Sequence, residues 1–295
     1  MALHPNTQGS LWMVAAMTGF AVEDVFIKAA AGEVPVGQVL ATFGLIGSAI
    51  FALWVLARGE RILHPALLSR FMAARVGFEM MGRVFYTLAI ALTPLSSASA
   101  ILQAAPLVVA LGAMLFLAEP ISRAAWLAIG VGFAGVLMVL RPGLAGFDML
   151  ALLAVLGMVG FAGRDLATRA APPVLSHVQL SLYGCAILVP AGLLILAFQS
   201  PPVLPSAANA ARILAASLAG SASYYALTVA MRTGDVGVVA PFRYARLVVA
   251  MILAALVFHE RPDSLTLIGS AIIVGAGLIA LTATRRKKTL HPAKD

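Results

Sequence analysis

Charge is scarce in this chain. Of its 295 residues only 11% are Asp, Glu, Lys or Arg, while 61% are hydrophobic and the mean hydropathy is +0.99. That shortage excludes a water-soluble globular domain and places the chain in a lipid bilayer. A single cysteine, Cys185, excludes a disulfide framework, so the fold must rest on helix packing. The histidines His4, His64, His177, His259 and His291 stand without ligand spacing, so no metal site is expected. Long polar loops are missing too. With them goes the usual home of an interfacial acid-base or metal constellation, which counts against the rival class of a polytopic membrane enzyme. Gly130-Val131-Gly132-Phe133-Ala134-Gly135 matches a dinucleotide glycine spacing, but no strand precedes it and no ribose-binding acid follows. It reads as a helix-packing surface, and no cofactor is expected.

What is present is apolar sequence. Runs able to cross ~30 Å of hydrocarbon, about 20 helical residues each, can be drawn ten times. They are 10–30, 36–57, 66–92, 95–117 and 123–140 in the first half, then 148–170, 175–197, 208–231, 236–258 and 264–283. The residues before the first run carry no Lys or Arg, and no small-residue cleavage site follows it, unlike an ordinary signal peptide. Ten spans put both termini on one face. That face collects Arg58, Arg61, Arg70, Arg123, Arg169, Arg232, Arg285, Arg286, Lys287, Lys288 and Lys294, against Lys28, Arg141, Arg212 and Arg261 opposite. Loop cations favour the cytoplasmic side, so both termini are expected there, in a multi-pass protein of the inner (cytoplasmic) membrane. This bias and a basic tail at 284–295, suited to anionic headgroups, account for the net charge of +8 without a nucleic-acid partner.

The halves are copies. Gly19-Phe20-Ala21-Val22-Glu23-Asp24 leading to Lys28 returns 141 positions later as Gly160-Phe161-Ala162-Gly163-Arg164-Asp165 leading to Arg169. The same offset pairs Gln38 with Gln179 and Glu119 with Glu260. Each repeat, 10–140 and 148–283, holds five spans, an odd number, so the second enters the membrane inverted. Inverted repeats can exchange conformations around a site near the midplane, which makes alternating access the natural expectation.

Charges within spans persist where they work, and an ionised group near the bilayer centre costs roughly 2.5–3.5 kcal/mol on insertion scales. In the third run Arg75, Glu79 and Arg83 recur every four residues on one face, with Tyr86 continuing it and Phe78 beside it. That face suits a substrate carboxylate and an apolar side chain, although Glu79 serves equally as the centre of a self-neutralising ladder. Pro241 breaks the ninth run just before Arg243, Tyr244 and Arg246, as Pro106 breaks the fourth just after Gln103. Asp24 with Lys28, and Asp165 with Arg169, repeat one i, i+4 acid-base pair, read as structural pairing or as a proton or gate switch. Five interior arginines, 75, 83, 164, 243 and 246, face Glu23, Asp24, Glu79 and Asp165. The single surplus cation suits a substrate anion. Tyr224, Tyr225 and Tyr244 offer apolar surface with polar ends. Candidate substrate contacts are therefore Phe78, Glu79, Arg83, Gln103, Tyr224, Arg243 and Tyr244; candidate coupling or gating residues are Asp24, Lys28, Asp165 and Arg169.

Two helix-end patterns complete the reading. Gln103-Ala104-Ala105-Pro106 runs to Phe116-Leu117-Ala118-Glu119-Pro120, and Pro241-Phe242-Arg243-Tyr244 runs to Val257-Phe258-His259-Glu260-Arg261-Pro262, each followed by a Gly-rich apolar helix. Over essentially its whole length the chain resembles the EamA-type domains of the drug/metabolite transporter superfamily, most of all its amino-acid exporters. The resemblance implies an all-α membrane protein whose cavity is lined by the first four helices of each repeat, the fifth being peripheral. It implies neutral or aromatic amino acids as cargo and export as direction, in a superfamily that also moves nucleotide sugars, triose phosphates and drugs. Gly269, Gly275 and Gly277 let helices approach closely or pair between protomers, which leaves a homodimer open.

Overall fold

The computed structural model describes residues 4–117, 123–141, 148–169, 174–233 and 239–290, and among them there are helices and turns but no strand. Helix α1 (Pro5–Ala31) opens on His4, whose ring accepts the Asn6 N–H, and α2 (Val36–Ala57) follows Pro35. A 3₁₀ turn, Pro65–Leu68, leads into α3 (Arg70–Leu92), capped by the Ser69 hydroxyl accepting from Met72 N–H. Next come α4 (Leu95–Leu102), α5 (Ala105–Leu117), α6 (Arg123–Leu140) and α7 (Ala151–Arg169). A capping box of Ser176 and Gln179 starts α8 (His177–Ala186), followed by α9 (Leu188–Leu196) and α10 (Ala207–Thr233). A second 3₁₀ turn, Ala240–Tyr244, precedes α11 (Ala245–Phe258), and α12 (Ser264–Leu290) ends the described chain.

Among the described residues five helical stretches are long and apolar enough to cross a membrane: Pro5–Ala31, Val36–Ala57, Leu95–Phe116, His177–Leu196 and Ala207–Thr233. The expected spans 66–92 and 148–170 correspond to α3 and α7, whose buried charges dilute their hydropathy. The proline breaks fall where expected: α4 gives way to α5 just before Pro106, and Pro241 lies in the 3₁₀ turn that opens the ninth run. A third break, between α8 and α9, was not anticipated. Pro190 lacks the N–H that would bond the Ala186 carbonyl, so the helix loosens there.

Polarity is arranged inside out. Glu79 and Glu23 are 0% and 1% exposed, whereas Leu53, Leu127 and Leu256 are 69%, 72% and 69% exposed. Water penalises such a surface, and hydrocarbon accepts it.

The packing repeats with the sequence. Helix α1 lies on α10 and α3 on α7, and exchanging repeat mates 141 residues apart (α1 for α7, α10 for α3) converts one pair into the other. The same shift relates α1 on α11 to α7 on α5, while α2 with α8–α9 and α6 with α12 pair repeat mates directly. Gly19 rests on Ser223, and its mate Gly160 rests on Gly82, the mate of Ser223. Gln38 Nε2 donates to the Val203 carbonyl (2.7 Å), as Gln179 Nε2 donates to the Arg61 carbonyl (2.8 Å).

Contacts tie helices together at both ends of the bundle. At one end Glu260 accepts from Leu95 N–H, Ser96 N–H and Ser96 Oγ at the start of α4 (2.9, 3.1 and 2.9 Å), with Lys28 Nζ 3.6 Å away. Asn209 there donates to Glu33 (2.6 Å), and Asp263, capping α12, pairs with Arg141. The Arg141 hydrogen bond, helped by Thr266, holds the Asp263 carboxyl down at about 2, so this exposed clasp stays ionised until pH falls that low. At the other end Ser176 donates to Glu60, which Arg58 also pairs at 2.8 Å, and the Ser176 bond chiefly keeps the Glu60 carboxyl below its ordinary value.

Candidate functional site

Nine charged side chains meet inside the bundle. From α1, Asp24 is gripped by Arg246, whose Nη2 lies 2.9 and 2.7 Å from the two carboxylate oxygens, and Tyr86 donates to the same carboxylate at 3.3 Å. Its neighbour Glu23 meets Arg83 Nη1 through one oxygen only, at 3.1 Å. From α7, Asp165 accepts from Arg164 (2.9 Å) and Arg243 (2.9 Å). Glu79 on α3 is sealed by Arg75 (3.4 Å), Arg164 (3.2 Å) and the Tyr224 hydroxyl (2.9 and 3.0 Å). Aromatic faces carry part of the cationic load: Arg246 lies 5.2 Å from the Phe20 ring centre and Arg164 lies 5.0 Å from that of Phe161.

Beside this network lies a cavity with an open mouth. Arg83, Arg164, Asp165, Arg243 and Arg246 form its polar wall; Met17, Phe20, Leu102, Phe161 and Leu227 form the apolar one. Gln103, Pro106 and Tyr244 sit at the helix breaks that border it. Gln103 Nε2 donates to the Arg243 carbonyl at 3.1 Å, so each broken helix steadies the other. Arg83 Nε and Arg243 Nε are buried and find no acceptor among the described residues. A cavity lined by two arginines that are not fully paired, beside aromatic rings, suits a ligand with a carboxylate or other acceptor on an apolar body.

Of the substrate contacts expected from sequence, Arg83, Gln103, Arg243 and Tyr244 line this cavity, whereas Phe78, Glu79 and Tyr224 do not. Phe78 packs over Gly163, and Glu79 with Tyr224 closes the buried knot described above. The anticipated Asp24–Lys28 pairing is not formed. Lys28 Nζ turns to the carbonyls of Ile90 (3.2 Å) and Thr93 (2.6 Å) and toward Glu260, while Asp24 takes Arg246. Asp165 pairs with Arg164 and Arg243; the Arg169 side chain, Glu119, Pro120 and the end of the tail lie outside the described residues. Sequence reading undervalued Arg246 and missed Phe20 and Phe161, although the latter two occupy one repeat position and were visible in the duplicated motif.

A duplicated helical bundle with an apolar exterior and a charged interior cavity defines a multi-pass membrane protein built to pass small solutes. The profile of the EamA-like transporter family matches residues 7–141 and 148–282, and the chain belongs to that family, within the drug/metabolite transporter superfamily. It is 28% identical to the riboflavin transporter of Rhizobium johnstonii over 98% of this chain and 96% of that one. It is 29% identical to the pseudopaline exporter CntI of Pseudomonas aeruginosa (97% and 100%) and 28% identical to the S-adenosylmethionine uptake transporter of Rickettsia bellii (70% and 70%). A solved crystal structure shares the fold at 22% identity with a TM-score of 0.61, covering 93% of this chain and 98% of that one.

Proposed function

We propose that this chain is an alternating-access carrier of small carboxylate-bearing metabolites, with neutral and aromatic amino acids as the first class to test. In this reading ten helices form two inverted five-helix repeats in the inner membrane, and both termini are cytoplasmic. The observation that carries it is the pair of cavity-lining guanidinium groups, Arg83 and Arg243, opposite an apolar wall, each with an Nε that has no acceptor among the described residues. Asp24, Lys28, Asp165 and Arg169 serve as gating positions, because the ion pairs of the first three join helices from different repeats or different segments of the bundle. A second reading, another metabolite class, is favoured by relatives named for riboflavin, S-adenosylmethionine and pseudopaline. The aromatic wall also fits a larger ring system.

The test is counterflow in proteoliposomes with labelled L-phenylalanine, S-adenosylmethionine and riboflavin. Saturable counterflow of at least one is expected. A hydrogen bond to a charged group is worth about 1.5–3 kcal/mol, so Arg243→Ala or Arg83→Ala should raise KM roughly tenfold or more, or abolish flux, with the protein still inserted. Unchanged transport in both variants would remove the carboxylate clamp, and counterflow of riboflavin alone would shift the assignment to the second class.

A further inference from the structure

Glu23 is the least satisfied of the interior acids. Asp24, Glu79 and Asp165 each have both oxygens bonded, whereas Glu23 Oε1 has one bond, to Arg83, and Oε2 is buried with no partner among the described residues. The surroundings of that oxygen depart from the repeat. Position 220, the mate of Glu79, is glycine, and a Cβ there would lie 2.8 Å from Glu23 Oε2. The first half thus places an acid against Arg164, while the second leaves bare backbone against the acid Glu23, the mate of Arg164. Arg83, which Glu23 holds, lines the cavity, and its own Nε lacks a partner among the described residues.

We infer that Glu23 is a proton-binding site whose protonation is exchanged against the substrate's carboxylate at Arg83; this rests on the carboxylate reading proposed above. Hydronium gives its proton to the Glu23 carboxylate, forming the O–H bond and releasing water. The carboxylate charge beside Arg83 vanishes, the Nη1 pairing weakens, and the substrate carboxylate takes its place. One negative charge beside Arg83 is thereby conserved through the exchange, which avoids leaving an uncompensated cation in low dielectric. The groups facing Glu23 favour such a switch over a fixed pair. Arg83 comes from α3 and Arg246 from α11, but Arg246 is committed to Asp24, the like-charged neighbour on α1; Cys185 of α8 lies near as a thiol, and Tyr224 of α10 sets its ring against Arg83.

Two measurements decide it. Infrared difference spectra of the ligand-free wild type between about pH 5 and about pH 8 should gain the carbonyl stretch of a protonated carboxyl that Glu23→Gln lacks. An identical band in both proteins, or none in either, overturns the proposal. In counterflow, KM for L-phenylalanine should fall as pH falls in wild type and in Glu23→Asp, by up to about tenfold per unit for one coupled proton, and should be flat in Glu23→Gln. A pH-independent wild-type KM overturns the exchange even if Glu23→Gln fails to fold. If L-phenylalanine is not carried at any pH, the amino-acid reading fails, and the infrared result alone decides for or against Glu23.

Discussion

Gly160 and Gly19 hold equivalent places in the two repeats, yet they meet different neighbours. A Cβ on Gly160 would lie 2.6 Å from Gly82 Cα and 2.9 Å from the Phe78 carbonyl, both backbone atoms that cannot swing aside. A Cβ on Gly19 would meet the Ser223 hydroxyl, the end of a small side chain that can rotate. Gly160→Ala should therefore force α3 from α7 at about 1–3 kcal/mol and lower the melting temperature clearly more than Gly19→Ala. Equal shifts in a thermal-stability assay would contradict this packing. The same scale shows where local sequence reading stops. Arg83 and Glu79 share a helix face, and only Arg83 reaches the cavity, because Tyr224 and Arg164 from distant segments seal Glu79. Spacing reports which residues share a face of α3, but not what the other repeat lays against that face. Lys28 shows the converse, since a pair of carbonyls at the far end of α3 outcompetes the acid one turn back.

At the scale of elements, breaks and ends matter most. Prolines 106 and 241 announced the interrupted helices in the sequence, and the interruptions place Gln103, Arg243 and Tyr244 beside the cavity. The closing contact at Glu260 was less legible. His259 adopts a left-handed backbone (φ 54°) that ends α11 and turns Glu260 toward the first N–H groups of α4. A carboxylate there meets both the unpaired amides and the positive end of the helix dipole, each worth about 1 kcal/mol. Glu260→Gln weakens both and releases Lys28. In a Cys185→Ala background, a cysteine at Gln103 should then react faster with a membrane-impermeant thiol reagent from the Glu260 side than with Glu260 intact. An unchanged or slower rate would show that this contact does not hold that end closed.

At the scale of the whole molecule, duplication was the most legible feature. The offset of 141 read from Gly19 and Gly160 also relates the helix pairs α1–α10 and α3–α7, so a pattern in one dimension anticipated packing in three. Duplication carried some charges with it, as Asp24 to Asp165 and Lys28 to Arg169, but not the others of the central network. Glu79 faces Gly220 across the offset, Arg83 faces Tyr224, and Glu23 faces Arg164, so one chemistry is assembled from two unlike halves and could not be read from either. The family profile covers both repeats, and the relatives show that such a bundle serves chemically diverse cargo.

The central claim is that the two repeats cross the membrane in opposite senses around the shared cavity. Gly59 and Ser200 are exposed and stand one repeat offset apart. With Cys185 replaced by alanine, single cysteines at these positions can be labelled in intact cells with an impermeant reagent. The account predicts that the cysteine at 200 reacts from outside and the cysteine at 59 only after permeabilisation; labelling of both from the same face would contradict it.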